Sequence, residues 1–431
     1  MSIWKFEVSC SALLLLTLLV TPFSASAGGF RLPEASVAGI GLSDALVANP
    51  DEPGAIPYNS AAMAFHEGTT VAVEGIAIVP AFEVKPDSPN ISAETIESNH
   101  EAVSFVPALY ASQQFSDHLW IGLHVGVPFG LATEWPEETF SYFDAIGGPV
   151  AGQHPTKSSI EMVAVSPSVA LKLGESSSIS AGLDYYNVFN VEQHAIGADV
   201  EGDGDGFGWS IALLTEQEEW SFGISYHSAA TIEINGEVLS DLGGTLPEIT
   251  RISGETEFTL PWRLQVGIRR QIGEKLALEF DIERIGWSEY DKVSLVATDV
   301  LSPGTVISTG HNHWRDIFNF RLGASYRLTG NTKLRFGTGL EKTPVKKRYF
   351  DARTPDSDRY MVSLGLEHLT DDGWGLNVGY MYGWTKSRDF SGRSYPAQLA
   401  GGETDPNGTD AYNGRYQGDV HLFGLGVTKS F

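Results

Sequence analysis

The last eight residues, Gly424-Leu425-Gly426-Val427-Thr428-Lys429-Ser430-Phe431, set the solvent in which this chain folds. Read back from Phe431, the positions Val427, Leu425 and Phe423 are apolar, while Ser430, Thr428, Gly426 and Gly424 are small. Successive side chains of a strand point to opposite faces, so this segment has one greasy face and one small, polar face. Lys429 interrupts the apolar row, but its long stem can snorkel to an interface. Bacterial outer-membrane barrels carry strands of this kind, with lipid on one side and a polar lumen on the other.

The N-terminus is consistent with that address. Lys5 precedes the apolar run Ala12 to Val20, and Ala25-Ser26-Ala27 precedes Gly28. This is the pattern of a secretory signal over residues 1–27, with the mature chain starting at Gly28. The alternative, a transmembrane anchor, needs about 20 apolar residues, and this run is shorter. Cys10 is the single cysteine and lies before the run. The mature chain then has no disulfide, no Cys-ligated metal and no Cys nucleophile. The net charge of −26 argues against nucleic acid, which needs clustered Lys and Arg. Acidic pairs such as Asp371-Asp372 and Glu137-Glu138 read as solvated loops near a lipopolysaccharide surface.

Period-two alternation recurs from about residue 70 to the end. From Phe318 to Leu328 the even-numbered residues are apolar and the odd-numbered ones polar or Gly. Trp374, Leu376, Val378, Tyr380, Tyr382 and Trp384 form an apolar row with aromatics at both ends, as interfacial girdles require. Strands are expected near 70–84, 102–116, 118–130, 159–173, 178–192, 207–216, 218–235, 254–271, 275–295, 314–328, 332–345, 358–370, 373–387 and 416–431. That makes about fourteen, an even number as a single-chain bacterial barrel requires. The expected fold is an all-β transmembrane antiparallel barrel over residues 67–431. A soluble sandwich or propeller would need polar outer faces, and these are Leu, Phe, Trp and Val. Residues 28–66 do not alternate, and by composition are either a periplasmic extension or a plug in the lumen.

The motifs, taken in order, resemble the FadL-type outer-membrane transporters of long-chain fatty acids and hydrocarbons. They begin with Gly28-Gly29-Phe30-Arg31-Leu32 and Tyr58-Asn59-Ser60-Ala61-Ala62-Met63. They continue with Val127-Pro128-Phe129-Gly130-Leu131, Ile285-Gly286-Trp287-Ser288-Glu289-Tyr290, Trp314-Arg315-Asp316, Thr343-Pro344-Val345 and Pro355-Asp356-Ser357-Asp358-Arg359. The resemblance implies a fourteen-stranded barrel with residues 28–66 as a hatch in the lumen. It also implies passive uptake of hydrophobic molecules, with sideways release at a kinked third strand. By the same resemblance Phe30 borders the ligand pocket, Arg315 contributes to carboxylate binding, and Asn59-Ser60-Ala61 lies beside the kink. Ser60 stands where the family has proline, so the turn lacks a fixed φ. The kink is expected at Gly126-Val127-Pro128, because a proline removes a ladder donor.

Parity also places Arg263, Arg269, Arg321, Arg327, Lys333 and Arg335 inward, facing Glu279, Asp281, Glu283 and Glu341, which reads as a charge-paired lumen. The family's second basic residue, from strand five, is missing, and Val191 sits about where it should be. Asp316, next to Arg315, is expected to neutralise it. These departures shift weight toward neutral hydrocarbons as the alternative cargo. An adhesin or phage-receptor barrel is the alternative from another class. Ser308, His311 and His313 lack a supporting catalytic motif, so no enzyme is expected. Glu201 to Gly206 lacks the bidentate Glu of a calcium loop and reads as an acidic hairpin. No cofactor or metal is expected, and the chain is read as a monomer.

Overall fold

The computed structural model describes residues 28–87, 94–98, 103–137, 139–140, 155–195, 198–240, 250–299, 303–395, 397–398 and 411–431. The signal reading for 1–27 therefore lies outside the described residues. Fourteen staves run in chain order around one sheet. They are β1 (Thr69–Pro86), β2 (Ser104–Ser116), β3 (Leu119–Gly126 and Leu131–Glu134), β4 (Pro155–Leu173), β5 (Ser177–Ala195), β6 (Ala198–Gln217) and β7 (Trp220–His227, Ala230–Ser240). The second half comprises β8 (Thr250–Leu260, Arg263–Ile272), β9 (Leu276–Ile285, Lys292–Ala297), β10 (Val306–His311, Ile317–Arg327), β11 (Thr332–Glu341), β12 (Arg359–Leu369), β13 (Trp374–Thr385, Arg388–Phe390) and β14 (Gly414–Ser430). Each stave pairs antiparallel with its neighbours, and β14 closes on β1 from Thr70–Ser430 to Pro86–Gly414. Closure leaves no free edge, which is what a sheet in lipid needs.

The lipid-facing rows follow the expected parity. Phe318, Phe320 and Leu322 are exposed, while Asn319, Arg321 and Gly323 face inward. Trp374, Leu376, Val378 and Trp384 are likewise exposed on β13. Lys429 Nζ lies 5.2 Å from the centre of the Trp374 ring and 5.5 Å from that of Phe431, at the end where the short turns sit.

Two readings change. Glu201 to Gly206 is not a hairpin but the outer part of β6, paired with β5 and β7. Its acidic residues Asp203 and Asp205 are exposed, while its glycines let the strands close up: a Cβ on Gly204 would meet the Glu233 carbonyl oxygen at 1.8 Å. Outward carboxylates are costly in lipid, so this part of β6 stands beyond the bilayer. Arg327, expected inside, is exposed at the end of β10.

Residues 28–65 lie almost wholly buried within this cylinder. The helix α1 (Val37–Leu42) is capped by Ser36, whose Oγ accepts from the Gly39 N–H at 3.0 Å. It packs against β10–β14 and β1, whereas the 3₁₀ turn Ser60–Phe65 packs against β3–β6 on the opposite arc. The two parts of the segment thus contact opposite arcs of the sheet. Inward charges of the wall hold it by satisfying its backbone and side chains. Asp281 Oδ2 accepts from the N–H groups of Leu46 and Val47, at 3.0 and 3.1 Å. Glu279 and Glu74 accept from those of Ala48 and Val37, at 2.7 and 2.6 Å. Glu52 of the segment is bound by Arg335 and Lys333, each at 2.7 Å. Burying these groups is tolerated because Glu52 is ion-paired and the other three carboxylates accept backbone hydrogen bonds.

Candidate functional site

The wall is interrupted at one place in β3. Pairing with β4 stops at Gly126–Ala164 and resumes at Leu131–Ile160, leaving Glu161–Val163 opposite a break. On the other side β2 pairs with β3 only as far as Leu109–Val125, while Ser104–Ala108 pair with β1. Between these limits Val127–Gly130 turns to the N-terminal segment instead. The Leu32 N–H donates to the Pro128 carbonyl at 2.9 Å, and the Gly130 N–H donates to the Phe30 carbonyl at 2.9 Å. Arg31 and Phe129 form the bridge between them. Pro128, within the interrupted stretch, has no N–H to give to a ladder. Gly126 is the last residue of the first β3 piece.

Beyond the break Phe30 sits in an aromatic nest. Its ring centre is 4.9 Å from that of Trp287, 5.2 Å from Tyr290, and 5.9 Å from both Phe129 and Trp314. The contacts are edge-on or tilted, the arrangement that ring quadrupoles favour. Gly29 makes this approach possible: its φ is +76°, and a Cβ would lie 2.5 Å from Trp314 and 2.7 Å from Trp287. The motifs around Phe30, Trp287 and Trp314 are thus brought into one cluster by the fold.

Asn59, Ser60 and Ala61 lie lower, against β5 and β6 rather than at the break itself. Asn59 Nδ2 donates to the carbonyls of Val47 (2.7 Å) and Leu213 (3.0 Å), and its Oδ1 caps the Ala61 N–H at 3.0 Å. Ser60 Oγ shares a hydrogen bond with Ser180 Oγ at 2.7 Å, and Ser178 donates to the Ala61 carbonyl at 2.7 Å. These bonds fix the turn that proline would otherwise stiffen. Met63 carries the turn to β3, its sulfur lying 2.9 Å from where a Cβ on Gly122 would be.

Arg315 is exposed, and its Nε and Nη2 donate to the Thr343 carbonyl at 3.2 and 3.0 Å. Its neighbour Trp314 is buried in the nest. Asp316 does not neutralise it: that carboxylate pairs with Arg284 at 3.1 Å and accepts from Ser288. Among the other motif residues, Asp356 accepts from Thr343 Oγ1 at 2.6 Å and from the Gly29 N–H at 3.4 Å. Burial pushes its carboxyl up to about 7.

Sequence reasoning missed a second feature. A cavity of about 50 Å³ lies against the inner side of the break, lined by Val127, Pro128 and Ala164 and by Arg31, Arg263 and His124. Polar groups from β3, β5, β7, β8 and β9 converge there, together with Arg31 of the N-terminal segment. Parity placed Arg263 inward, but no periodicity locates Arg31. The volume holds a few waters or one small polar group, far below the several hundred Å³ of a pocket for a whole ligand.

A closed barrel with a greasy exterior, a charge-paired filling and an interrupted wall defines an outer-membrane transport protein. The comparisons give that class its family: the chain belongs to the outer membrane protein transport proteins of the OMPP1/FadL/TodX type, whose model matches residues 18–431. It is 23% identical over 425 residues to the long-chain fatty acid transport protein of Escherichia coli K12, covering 86% of this chain and 92% of that one. It is 23% identical over 480 residues to outer membrane protein P1 of Haemophilus influenzae, covering 99% of this chain and all of the other, 100%. Among solved structures, a Pseudomonas aeruginosa FadL homologue superposes with a TM-score of 0.77 at 18% identity, covering 94% of this chain and 100% of that one. The Pseudomonas putida toluene transporter TodX gives 0.62 at 14% identity, covering 95% and 100%. These two share the fold.

Proposed function

We propose that this protein admits hydrophobic molecules through the outer membrane by diffusion, and that long-chain fatty acids are its main cargo. The observation that carries the reading is the break in β3, which among the described residues pairs with the Phe30–Leu32 segment. A molecule that prefers lipid gains nothing from a water channel, whereas a sideways exit lets it avoid the aqueous phase. In this reading residues 28–66 act as the hatch, and Phe30 and its ring neighbours border the pocket. Arg315 meets carboxylates near the outer loops, while Asn59, Ser60 and Ala61 anchor the hatch and Gly126 and Pro128 frame the exit. The protein works as a monomer, surrounded by lipid and lipopolysaccharide, and does so without catalysis. The names of the fatty-acid relatives support the cargo.

A second reading, neutral hydrocarbons, draws on the aromatic nest, whose tilted rings suit an aromatic guest. One experiment tests the exit and separates the cargoes. Arg31 and Phe129 form a non-hydrogen-bonded antiparallel pair, whose Cα atoms lie about 4.5 Å apart, within reach of a disulfide. Cells carrying the Arg31→Cys/Phe129→Cys variant would be given labelled oleate or labelled toluene. Oxidation should abolish uptake and reductant should restore it, and the compound that the unsubstituted protein takes up better names the cargo. Equal uptake by the oxidised and reduced forms would sink the lateral exit.

A further inference from the structure

The cavity behind the break has a composition that the passage of an apolar chain does not require. Arg31 is buried and lines it, with Nη2 on Glu283 at 2.7 Å, yet its Nε and Nη1 have no hydrogen-bond partner among the described residues. His124 Nε2, from β3 beside the break, is also buried and without a partner there. Arg263 adds a second guanidinium, 5.8 Å from the centre of the Phe129 ring. Buried guanidinium N–H groups such as those of Arg31 are costly when left alone.

The carboxylates of the cavity are already engaged. Glu283 places its other oxygen on Arg321 Nη1 at 2.9 Å. Asp184 accepts from Ser166 Oγ at 2.6 Å and meets His227 Nδ1 at 2.8 Å. The carboxylate oxygens are therefore spoken for, and the free capacity includes the guanidinium donors of Arg31. What fits is an acceptor-only group small enough for about 50 Å³. A carboxylate meets both conditions, and guanidinium groups are its natural partners.

We propose that this cavity is a carboxylate site at the inner lip of the wall break. It retains the head group of an amphiphilic acid while the acyl chain lies out through the gap between β2 and β4. The site rests on the transport reading above and deepens it. It gives a fatty acid a station where the chain is already in an apolar medium and the charge is not. Release then requires the carboxylate to leave Arg31 and Arg263, so the site favours acids over neutral hydrocarbons.

The test is binding of labelled oleate and of neutral methyl oleate to the purified full-length protein in detergent. Arg263→Gln and Arg31→Gln should each weaken oleate on the order of tenfold, the usual effect of losing a charged hydrogen bond. Methyl oleate should change by less than about twofold, since it offers no charge. Arg31→Lys should recover most of the oleate affinity. Equal losses for both ligands, or none for either, would overturn the site and leave the transport reading standing. Binding of neither ligand by the unsubstituted protein would overturn both. A further measurement needs no substitution: carboxyl-¹³C oleate on the native protein should stay ionised to lower pH than in detergent alone. Titration as in free micelles would count against the site even if the variants failed to fold.

Discussion

Gly223 on β7 has no space for a side chain, because a Cβ there would lie 1.9 Å from the Val47 carbonyl oxygen. The barrel wall and the N-terminal segment touch through backbone at this point, so a methyl group must push one of them away. Gly223→Ala should cost about 1–3 kcal/mol, the usual range for overpacking. It should appear as faster hydrogen exchange at the amides of Leu46, Val47 and Ala48, with β7 itself protected. A second prediction concerns Glu34, whose carboxyl burial and the neighbouring Asp44 push up to about 7, although Arg359 opposes them. Its ordinary value is 4.5, so between about 4.5 and 7 the docked segment holds a proton that the released segment does not. Docking is then strongest below that window and weakens as pH rises through about 7, and Asp356 acts in the same sense. Glu52 does not counter this within the window. Burial raises its carboxyl, but Arg335 and Lys333 outweigh that and hold it well below the usual range, so it stays ionised. Exchange protection of residues 30–40, corrected for intrinsic rates, should fall between pH 5 and pH 8. An increase would refute the assignment.

At the scale of elements, the third strand is held in its bent path by two hydrogen bonds from a segment far away in sequence. Leu32→Pro removes the donor to the Pro128 carbonyl and leaves that acceptor unpaired. The Gly130 amide, on the other rung, should exchange about tenfold faster, as expected for an unmade buried bond. Amides from Trp120 to Gly122, paired with both β2 and β4, should not change. Loss of protection along all of β3 would mean that the N-terminal segment supports the whole strand rather than the break. The strands were legible because a one-residue slip would turn every apolar side chain inward. The extent of β6 was not, since Glu201 to Gly206 has polar residues outward and glycine inward, a pattern that only a strand above the bilayer can use. Nothing in the neighbourhood of Gly126 and Pro128 named Phe30–Leu32 as the pairing partner.

The whole molecule is a cylinder with opposite solvents on its two faces, and a charge tests which face is which. Val378 is exposed midway between Trp374 and Trp384. Val378→Arg should destabilise the barrel by about 2–4 kcal/mol in lipid vesicles, measured by denaturant titration. The same substitution at the exposed end residue Phe431 should cost less, because interfaces tolerate cations. Alternation, aromatic girdles and turn spacing determined the barrel, its lipid-facing side and the number of its staves, since each depends on side-chain order within one strand. What the tertiary structure alone decided is where the non-repeating segment goes. It places Arg31 beside Arg263 and His124, and Glu34 beside Arg359. These groups lie on different elements, and no local pattern relates them. Only closure of the sheet around residues 28–65 brings them together.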